Sequence, residues 1–372
     1  MILSSPSQTA RMAFLEALRL ADTRLLEKSA RLERLNASRS VLVYGFGTRG
    51  RSLAPQLRSI GVDPVIFDTQ PTVRASAAQA GYETVDSPDV DLPLIVAAAQ
   101  NQSAILERHP GGYSLVECQY SYDLANQCDF ARAFTSPAQL DSEEAFAVYE
   151  QLDDESRRCF LDLLRFRFSL DVSAIRSTRM PLSKMWALPL HTIAAASFCD
   201  VGAYDGDSIE ALSKLTPLRE VLAVEPNPDL AGRIREVATN REIQARVYSG
   251  AAWSHPCHLV AKELLGGMIA VEESGNGTIP AEPLDAIANH AYDYVKFDVE
   301  GSEDCAIAGA TRTIAQAKAV AMASYHKPRD ILDLPARLAR VRAGSTDENG
   351  RRASLHFRHY SECFDDSVFY HF

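Results

Sequence analysis

The sequence holds seven cysteines, at 118, 128, 159, 199, 257, 305 and 363, but no C-x-x-C pair. An odd number without motif spacing excludes a disulfide framework and a structural zinc site, and the thiols read as free in a reducing compartment. No run approaches the roughly 20 apolar residues of a membrane helix. Nor do residues 1–20 (MILSSPSQTARMAFLEALRL) form a leader, because charges sit inside their apolar part. A cytoplasmic location is the expectation. Basic charge is scarce: 38 Lys and Arg face 49 Asp and Glu, a net charge of −11. That balance disfavours a phosphate backbone, so nucleic acid is not an expected partner. Repeats and low-complexity tracts are absent too, and 46% hydrophobic residues exclude a disordered chain.

At roughly 100–200 residues per domain, a chain of 372 predicts two domains. Residues 7–36 place Met12, Leu15, Leu18, Leu25, Leu26, Leu32 and Leu35 at helical spacing. They form one amphipathic helix or two short ones, so 1–37 reads as a helical segment for docking or homodimerisation. From Ser40 the rhythm changes. VLVYG (41–45), PVIFD (64–68) and LPLIVAAA (92–99) are short apolar strands separated by helical patterns, and SLVECQY (114–120) reads as a fourth strand. Strands alternating with helices imply a parallel sheet, here a smaller N-terminal Rossmann-like domain over 38–135. Residues 136–190 read as a helical linker or lid, with Asp153 or Asp154 capping a helix that buries Phe160, Leu163, Leu164 and Phe168.

A second alternating unit occupies 191–372. Its strands fall at 197–203, 220–226, 245–253, 293–301, 319–326, 353–361 and 366–372, the last two joined by a short turn. The expected α/β architecture is a doubly wound seven-stranded sheet whose last strand is antiparallel.

Chemistry concentrates at the carboxyl ends of those strands. Asp200-Val-Gly202-Ala203-Tyr-Asp205-Gly206 closes the first, and Glu225-Pro226-Asn227 closes the second. Ligands of doubly wound sheets sit beyond such ends, where strand order reverses. Gly202 permits close backbone approach, and an acid at the second strand end can accept both hydroxyls of a ribose. Acidic residues in the first loop favour a cationic ligand over a diphosphate. The combination suits S-adenosylmethionine. Lys296-Phe-Asp298-Val-Glu300-Gly301-Ser-Glu303 ends the fourth strand. Its carboxylates suit a cofactor amino group, a substrate hydroxyl or a divalent metal, and Asp298 and Glu300 share a side if the strand stays extended. Glu303 reads as a first-turn acid stabilised by its helix dipole. Tyr325-His326-Lys327 ends the fifth strand at the same rim. There His326 is placed as general base for an alcohol, with Asp298 or Glu300 second. His359 in Arg358-His359-Tyr360 is a further substrate candidate. His109, His255, His258, His290, His356 and His371 lack partner spacing and read as surface residues.

From about residue 140 to its end the chain resembles the FkbM-type family of S-adenosylmethionine-dependent methyltransferases. LDDESRRCFLDLLRFR, FCDVGAYDGDSI, AVEPNP, YVKFDVEGSEDCAIAGATRTI, SYHKPRDILDLP, LHFRHYS and VFYHF carry the resemblance, in the family's order. It implies a class I methyltransferase fold and O-methylation of a hydroxyl on a sugar, glycan or secondary metabolite. It also implies that Asp200, Gly202, Ala203 and Gly206 line the methionine side, with Asp205 beside them. Glu225 takes the ribose, followed by Asn227, while Ser249 and Ala251 border the adenine and Asp298 closes the floor. Two departures stand out: Phe297 replaces the family's isoleucine, and residues 254–284 do not align. No obligatory metal is expected.

Gly45-Phe-Gly47-Thr-Arg-Gly50 is a full G-x-G-x-x-G between a strand and a helix, and Asp68 ends the next strand. It suits a nucleotide, including a nucleotide-linked sugar acceptor, with Arg49 as a phosphate partner. Two rival readings follow. One is an NAD- or nucleotide-sugar-binding oxidoreductase centred on that motif, although no Tyr-x-x-x-Lys accompanies it; the other is a non-catalytic scaffold.

Overall fold

In the computed structural model the described residues are 8–98, 100–124, 142–263, 269–344 and 353–372. Alternation decides which way the first sheet faces. Leu42 and Tyr44 of β1 (Ser40–Tyr44), Val65 and Phe67 of β2 (Asp63–Phe67) and Leu94 and Val96 of β4 (Leu94–Val96) share one face, and with Ile105 they build a core cluster. With β3 (Glu83–Thr84) and β5 (Tyr113–Ser114) they make a five-stranded parallel sheet of order β3-β2-β1-β4-β5. The N-terminal pattern is one continuous helix, Gln8–Asn36, which buries Leu18, Leu32 and Leu35 while Met12 stays 61% exposed. Arg31 of this helix donates to Glu117 at 2.8 Å, and Tyr122 Oη donates to the Leu35 carbonyl.

The strand expected at 114–120 is a helix, Leu115–Ser121. A capping box explains the difference. Ser114 Oγ accepts from the Glu117 amide at 3.2 Å, and Glu117 Oε2 accepts from the Ser114 amide at 2.8 Å. Two of the helix's orphan donors are thereby satisfied, which outweighs the β-compatible run L-V. The S-x-x-E spacing was visible in SLVE and marks the helix start.

Two compact units divide the chain. The first comprises Met1–Glu150, Arg157–Arg179 and His359–Asp365; the second comprises Gln151–Ser156, Met180–Arg358 and Asp366–Phe372. The units therefore interleave in sequence, whereas the sequence reading drew single breaks at 37, 135 and 190. The 135 break lies outside the described residues. Buried polar contacts account for the excursion of 359–365. Gln102 donates to the Glu362 carbonyl at 2.7 Å, and Ser103 offers its amide at 3.0 Å and its hydroxyl at 2.7 Å to the Glu362 carboxylate.

The second unit is built on a seven-stranded mixed sheet of order β15-β16-β14-β13-β6-β7-β8. Its members are β6 (Ser197–Val201), β7 (Glu220–Glu225), β8 (Gln244–Ser249), β13 (Tyr294–Phe297), β14 (Ala319–Ala323), β15 (Leu355–His359) and β16 (Ser367–His371). The strands β6, β7, β13 and β14 are apolar and buried almost throughout, as a sheet covered on both faces requires. Strand β16 runs antiparallel to β14, as expected from the sequence. Successive connections leave β6 in opposite directions, to β7 on one side and eventually to β13 on the other, so the order reverses there.

The strand expected over 245–253 is divided at Gly250. Strand β8 stays in the main sheet, while β9 (Ala251–Ala252) joins a smaller sheet of order β11-β10-β12-β9, with β10 (Cys257–Glu263), β11 (Ile269–Glu273) and β12 (Ile279–Glu282). That sheet accounts for the segment that would not align. Among the described residues no helix is long and apolar enough to cross a membrane. Removing the Ser114 hydroxyl by Ser114→Ala is expected to cost about 1 kcal/mol of stability, read as a lower urea midpoint at unchanged slope.

Candidate active site

Lys296 interrupts an otherwise apolar strand, and register explains why. Lys296 on β13 pairs with Asp200 on β6. Its ammonium donates to Asp200 Oδ1 and to the Gly202 carbonyl, each at 2.8 Å. Asp200 is fully buried and also accepts from Ser208 Oγ, at the start of the helix Asp207–Ser213. Burial opposes the ammonium charge, but attraction to Asp200 and Asp298 outweighs it and holds the Lys296 pKa above its ordinary value. Two strand ends and a helix start are thus joined by one buried ion pair. The turn above it needs glycine: Gly202 has φ +83°, and a Cβ there would overlap the Asp298 carbonyl.

Glu225 ends β7 and is 5% exposed. One carboxylate oxygen accepts from the Tyr204 amide and the other from the Asn227 amide, both at 2.8 Å. Burial pushes its pKa up, and those two backbone donors only partly oppose the rise. Glu225 lines a cavity of about 270 Å³ together with Trp186, Gly202, Tyr204, Asp207, Ala251, Lys296, Asp298, Glu300 and Tyr325. The β-insertion contributes Ile269 and Val271 to the same wall.

Strand β13 ends at Phe297, and Glu300 takes a left-handed φ of +53° followed by Gly301 at +94°. Asp298 and Glu300 therefore meet through a turn, not through strand alternation. Both approach His326, whose Nε2 is 3.5 Å from Asp298 and 3.6 Å from Glu300. On the other side of the ring Nδ1 is 2.7 Å from Glu303, and Glu303 accepts from the Val299 amide at 3.0 Å. Burial disfavours the imidazolium, yet the Glu303, Asp298 and Glu300 carboxylates overcome it and push the His326 pKa up to about 10. Burial alone raises Asp298 and Glu300 most, whereas Glu303, also buried, is held low by His326. Glu303 is thus a buried partner of His326 and not merely a dipole-stabilised acid. Tyr325 Oη donates to Asp298 at 3.1 Å.

Residues 200–339 match the family model described as the methyltransferase FkbM domain. The chain carries an FkbM methyltransferase domain. No curated protein matches the sequence. Among solved structures, methyltransferase FkbM from Methylobacillus flagellatus KT is similar over 97% of this chain and 100% of its own, at 17% identity and a TM-score of 0.72. An rRNA methylase from Streptococcus thermophilus covers 52% of this chain and 96% of its own, at 12% identity and a TM-score of 0.33. Fibrillarin from Aeropyrum pernix, solved with S-adenosyl-L-methionine, covers 51% and 71%, at 14% identity and a TM-score of 0.32. The first of these likenesses establishes the fold.

Within the FkbM domain the cavity gathers Gly202, Glu225, Ala251, Asp298 and Glu300 of the residues singled out from sequence. Asp200 stands behind the wall, holding Lys296. Ala203 is buried, Gly206 packs on Ile234 and Val237, Asp205 pairs with Arg233 at 3.2 Å, and Asn227 supplies its amide to Glu225. Ser249 is the last residue of β8, beside Gly250, whose amide binds the Glu225 carbonyl. Trp186, Tyr204, Asp207, Lys296 and Tyr325 were not proposed from sequence. A lysine inside an apolar strand and an acid opening a helix were signals for two of them; Trp186 comes from an irregular stretch with no such signal.

Outside the domain, His359 does not reach the cavity. It is buried in the first unit, where desolvation, with Arg167 and Arg179 beside it, presses its pKa down to about 3. His371, expected at the surface, is 7% exposed and accepts from Arg342 at 2.8 Å. The glycine motif has a packing explanation: a Cβ at Gly50 would overlap the Gly45 carbonyl. Asp68 accepts the Phe46 and Gln70 amides, both at 2.9 Å, and Arg49 is ion-paired with Asp365.

Two predictions arise from these buried charges. Lys296→Met strands the Asp200 carboxylate and is expected to cost about 3–5 kcal/mol, while adding Asp200→Asn recovers most of the loss; chemical denaturation of the single and double variants measures both. The native state keeps His359 neutral down to about pH 3, but the unfolded chain protonates it near its ordinary 6.5. Its contribution is therefore complete above pH 6.5 and is lost as pH falls, at up to about 1.4 kcal/mol per pH unit. His359→Gln is expected to flatten the acid limb of the stability profile between pH 6.5 and 3.

Proposed function

We propose that the FkbM domain is an S-adenosylmethionine-dependent O-methyltransferase acting on a hydroxyl of a sugar, glycan or secondary metabolite. The observation that carries this reading is Glu225. It is a buried carboxylate at the second strand end, each oxygen fixed by one backbone amide and each keeping capacity for a further donor. That is the acceptor pair a ribose diol needs. The rest of the wall fits the same cofactor. Asp207, Glu225, Asp298 and Glu300 face the cavity, and the lining ammonium of Lys296 is already engaged by Asp200. Such a wall attracts a cation and repels a diphosphate.

The bound cofactor would supply a methyl group on a positively charged sulfur, already a good leaving group. The protein's task is then mainly positioning. Gly202 keeps the backbone turn open beside Asp298, and Glu225 and Asp207 orient the polar end of the ligand. Asp298 and Glu300, whose burial raises their proton affinity, take the acceptor's hydroxyl proton as the new carbon–oxygen bond forms. His326, first choice as base on sequence, stands behind them with Nδ1 committed to Glu303. Ile269 and Val271 of the insertion give the acceptor side an apolar border.

Calorimetric titration with S-adenosylhomocysteine tests the reading. Wild-type protein is expected to bind at micromolar affinity, and Glu225→Ala to bind at least ~100-fold more weakly, about 2.7 kcal/mol. Equal affinity in a folded Glu225→Ala variant would sink it.

A further inference from the structure

The β-insertion that borders the cavity gathers three unlike metal donors. Strand β10 pairs antiparallel with β11, and Leu259 stands opposite Glu273. Cys257 lies two residues before Leu259, so the pleat puts both on the face that Glu273 shares. His255 lies two residues further back, in the bend that leads into β10. One donor atom from each of His255, Cys257 and Glu273 falls within 4.8 Å of the other two. The spacing of cysteines gave no sign of this group, because one donor is an imidazole and another comes from the facing strand.

Their surroundings suit an ion. His255 Nε2 and Glu273 Oε1 are 3.4 Å apart. That is longer than a good hydrogen bond, and it is the separation of two donors on one tetrahedral ion with bonds of about 2.1 Å. Both side chains are about half exposed and free to rotate toward the sulfur. Cys257 is the fixed member, packed against the apolar cluster of Ala251, Trp253, Leu259 and Ala281. His255 Nδ1 lies 3.0 Å from Ser254 Oγ. With Nδ1–H donating to that hydroxyl, the tautomer is set and Nε2 keeps its lone pair, as a metal-binding histidine requires. Among the described residues Glu273 pairs with no lysine or arginine, and Glu282 adds a second negative charge near the thiol.

We propose that His255 Nε2, Cys257 Sγ and a Glu273 carboxylate oxygen bind one divalent transition-metal ion of the zinc type. A thiolate, an imidazole and a carboxylate favour zinc over magnesium or calcium. The thiol releases its proton to solvent on binding, and the fourth tetrahedral position is left to water. The ion ties the bend before β10 to the end of β11. Strand β11 also carries Ile269 and Val271 to the cavity wall, so the tie steadies that wall from outside. None of the three ligands lines the cavity itself. The site therefore does not depend on the methyl-transfer reading.

The test is titration of Co²⁺, a coloured stand-in for zinc, into chelator-treated, full-length protein, with circular dichroism as the check of folding. The readout is the near-ultraviolet charge-transfer band from thiolate to cobalt, which only a bound sulfur produces. One Co²⁺ per chain is expected to raise the band, and added Zn²⁺ to bleach it by displacement. Cys257→Ser should abolish the band, while His255→Gln and Glu273→Gln should each weaken uptake about tenfold or more. Cys305→Ser, which removes the other thiol packed against the same cluster, should leave band and affinity unchanged. Because the ion binds the folded hairpin, saturating Zn²⁺ should also raise the thermal midpoint of the wild type and leave that of Cys257→Ser where it was. No band in the folded wild type overturns the proposal. So does a band that survives Cys257→Ser, one that is lost in Cys305→Ser, or uptake unchanged in both His255→Gln and Glu273→Gln. S-Adenosylhomocysteine titrated into the same samples reports on the methyl-transfer reading separately, and its binding or failure to bind leaves the zinc site as the cobalt band finds it.

Discussion

The buried contact between Lys296 and Asp200 is the constraint on which the site depends. It sits where strand order reverses, and it joins the ends of β6 and β13 to the helix start at Ser208. An ion pair so buried earns little net stability, because desolvation consumes most of the attraction. Its value lies in geometry. The same ammonium binds the Gly202 carbonyl, so the turn that carries the backbone past Asp298 is set by the charge beneath it.

Above that pair the cavity is a place of deliberate charge imbalance. Glu225 is buried, Asp298 and Glu300 are only 21% and 23% exposed, and burial raises the proton affinity of each. Such an arrangement is costly in an empty pocket and becomes favourable when a cation arrives. His326 moderates it from one side only. Its Nδ1 is matched with Glu303, and its Nε2 looks between two carboxylates without touching either. The acid-rich wall and the fixed Glu225 oxygens share one electrostatic character: anionic groups held in place by the fold around them.

Local chemistry was legible wherever it depended on neighbours in sequence. The alternating strands and helices of 191–372, the antiparallel last strand, the glycine turn at Gly202 and the acid at Glu225 all follow from residue type and spacing. The misreading at 114–120 shows the limit from the other side, since the apolar run suggested a strand while Ser114 and Glu117 carried a capping signal of greater weight. Glu303 was seen only as a helix-end acid because its partner, His326, is 23 residues away.

By itself, then, the sequence determined the layered α/β plan, the methyltransferase resemblance and the acidic character of the strand ends, because periodicity and turn chemistry act over a few residues. Tertiary structure alone decided which polar groups share a space. It withdrew His359 into the first unit, split 245–253 at Gly250, brought Trp186 to the cavity and turned Glu300 toward His326 through a left-handed residue. The physical reason is common to these cases. Each depends on burial and on partners distant along the chain, and the charge state of a carboxylate or an imidazole is set by what surrounds it in space.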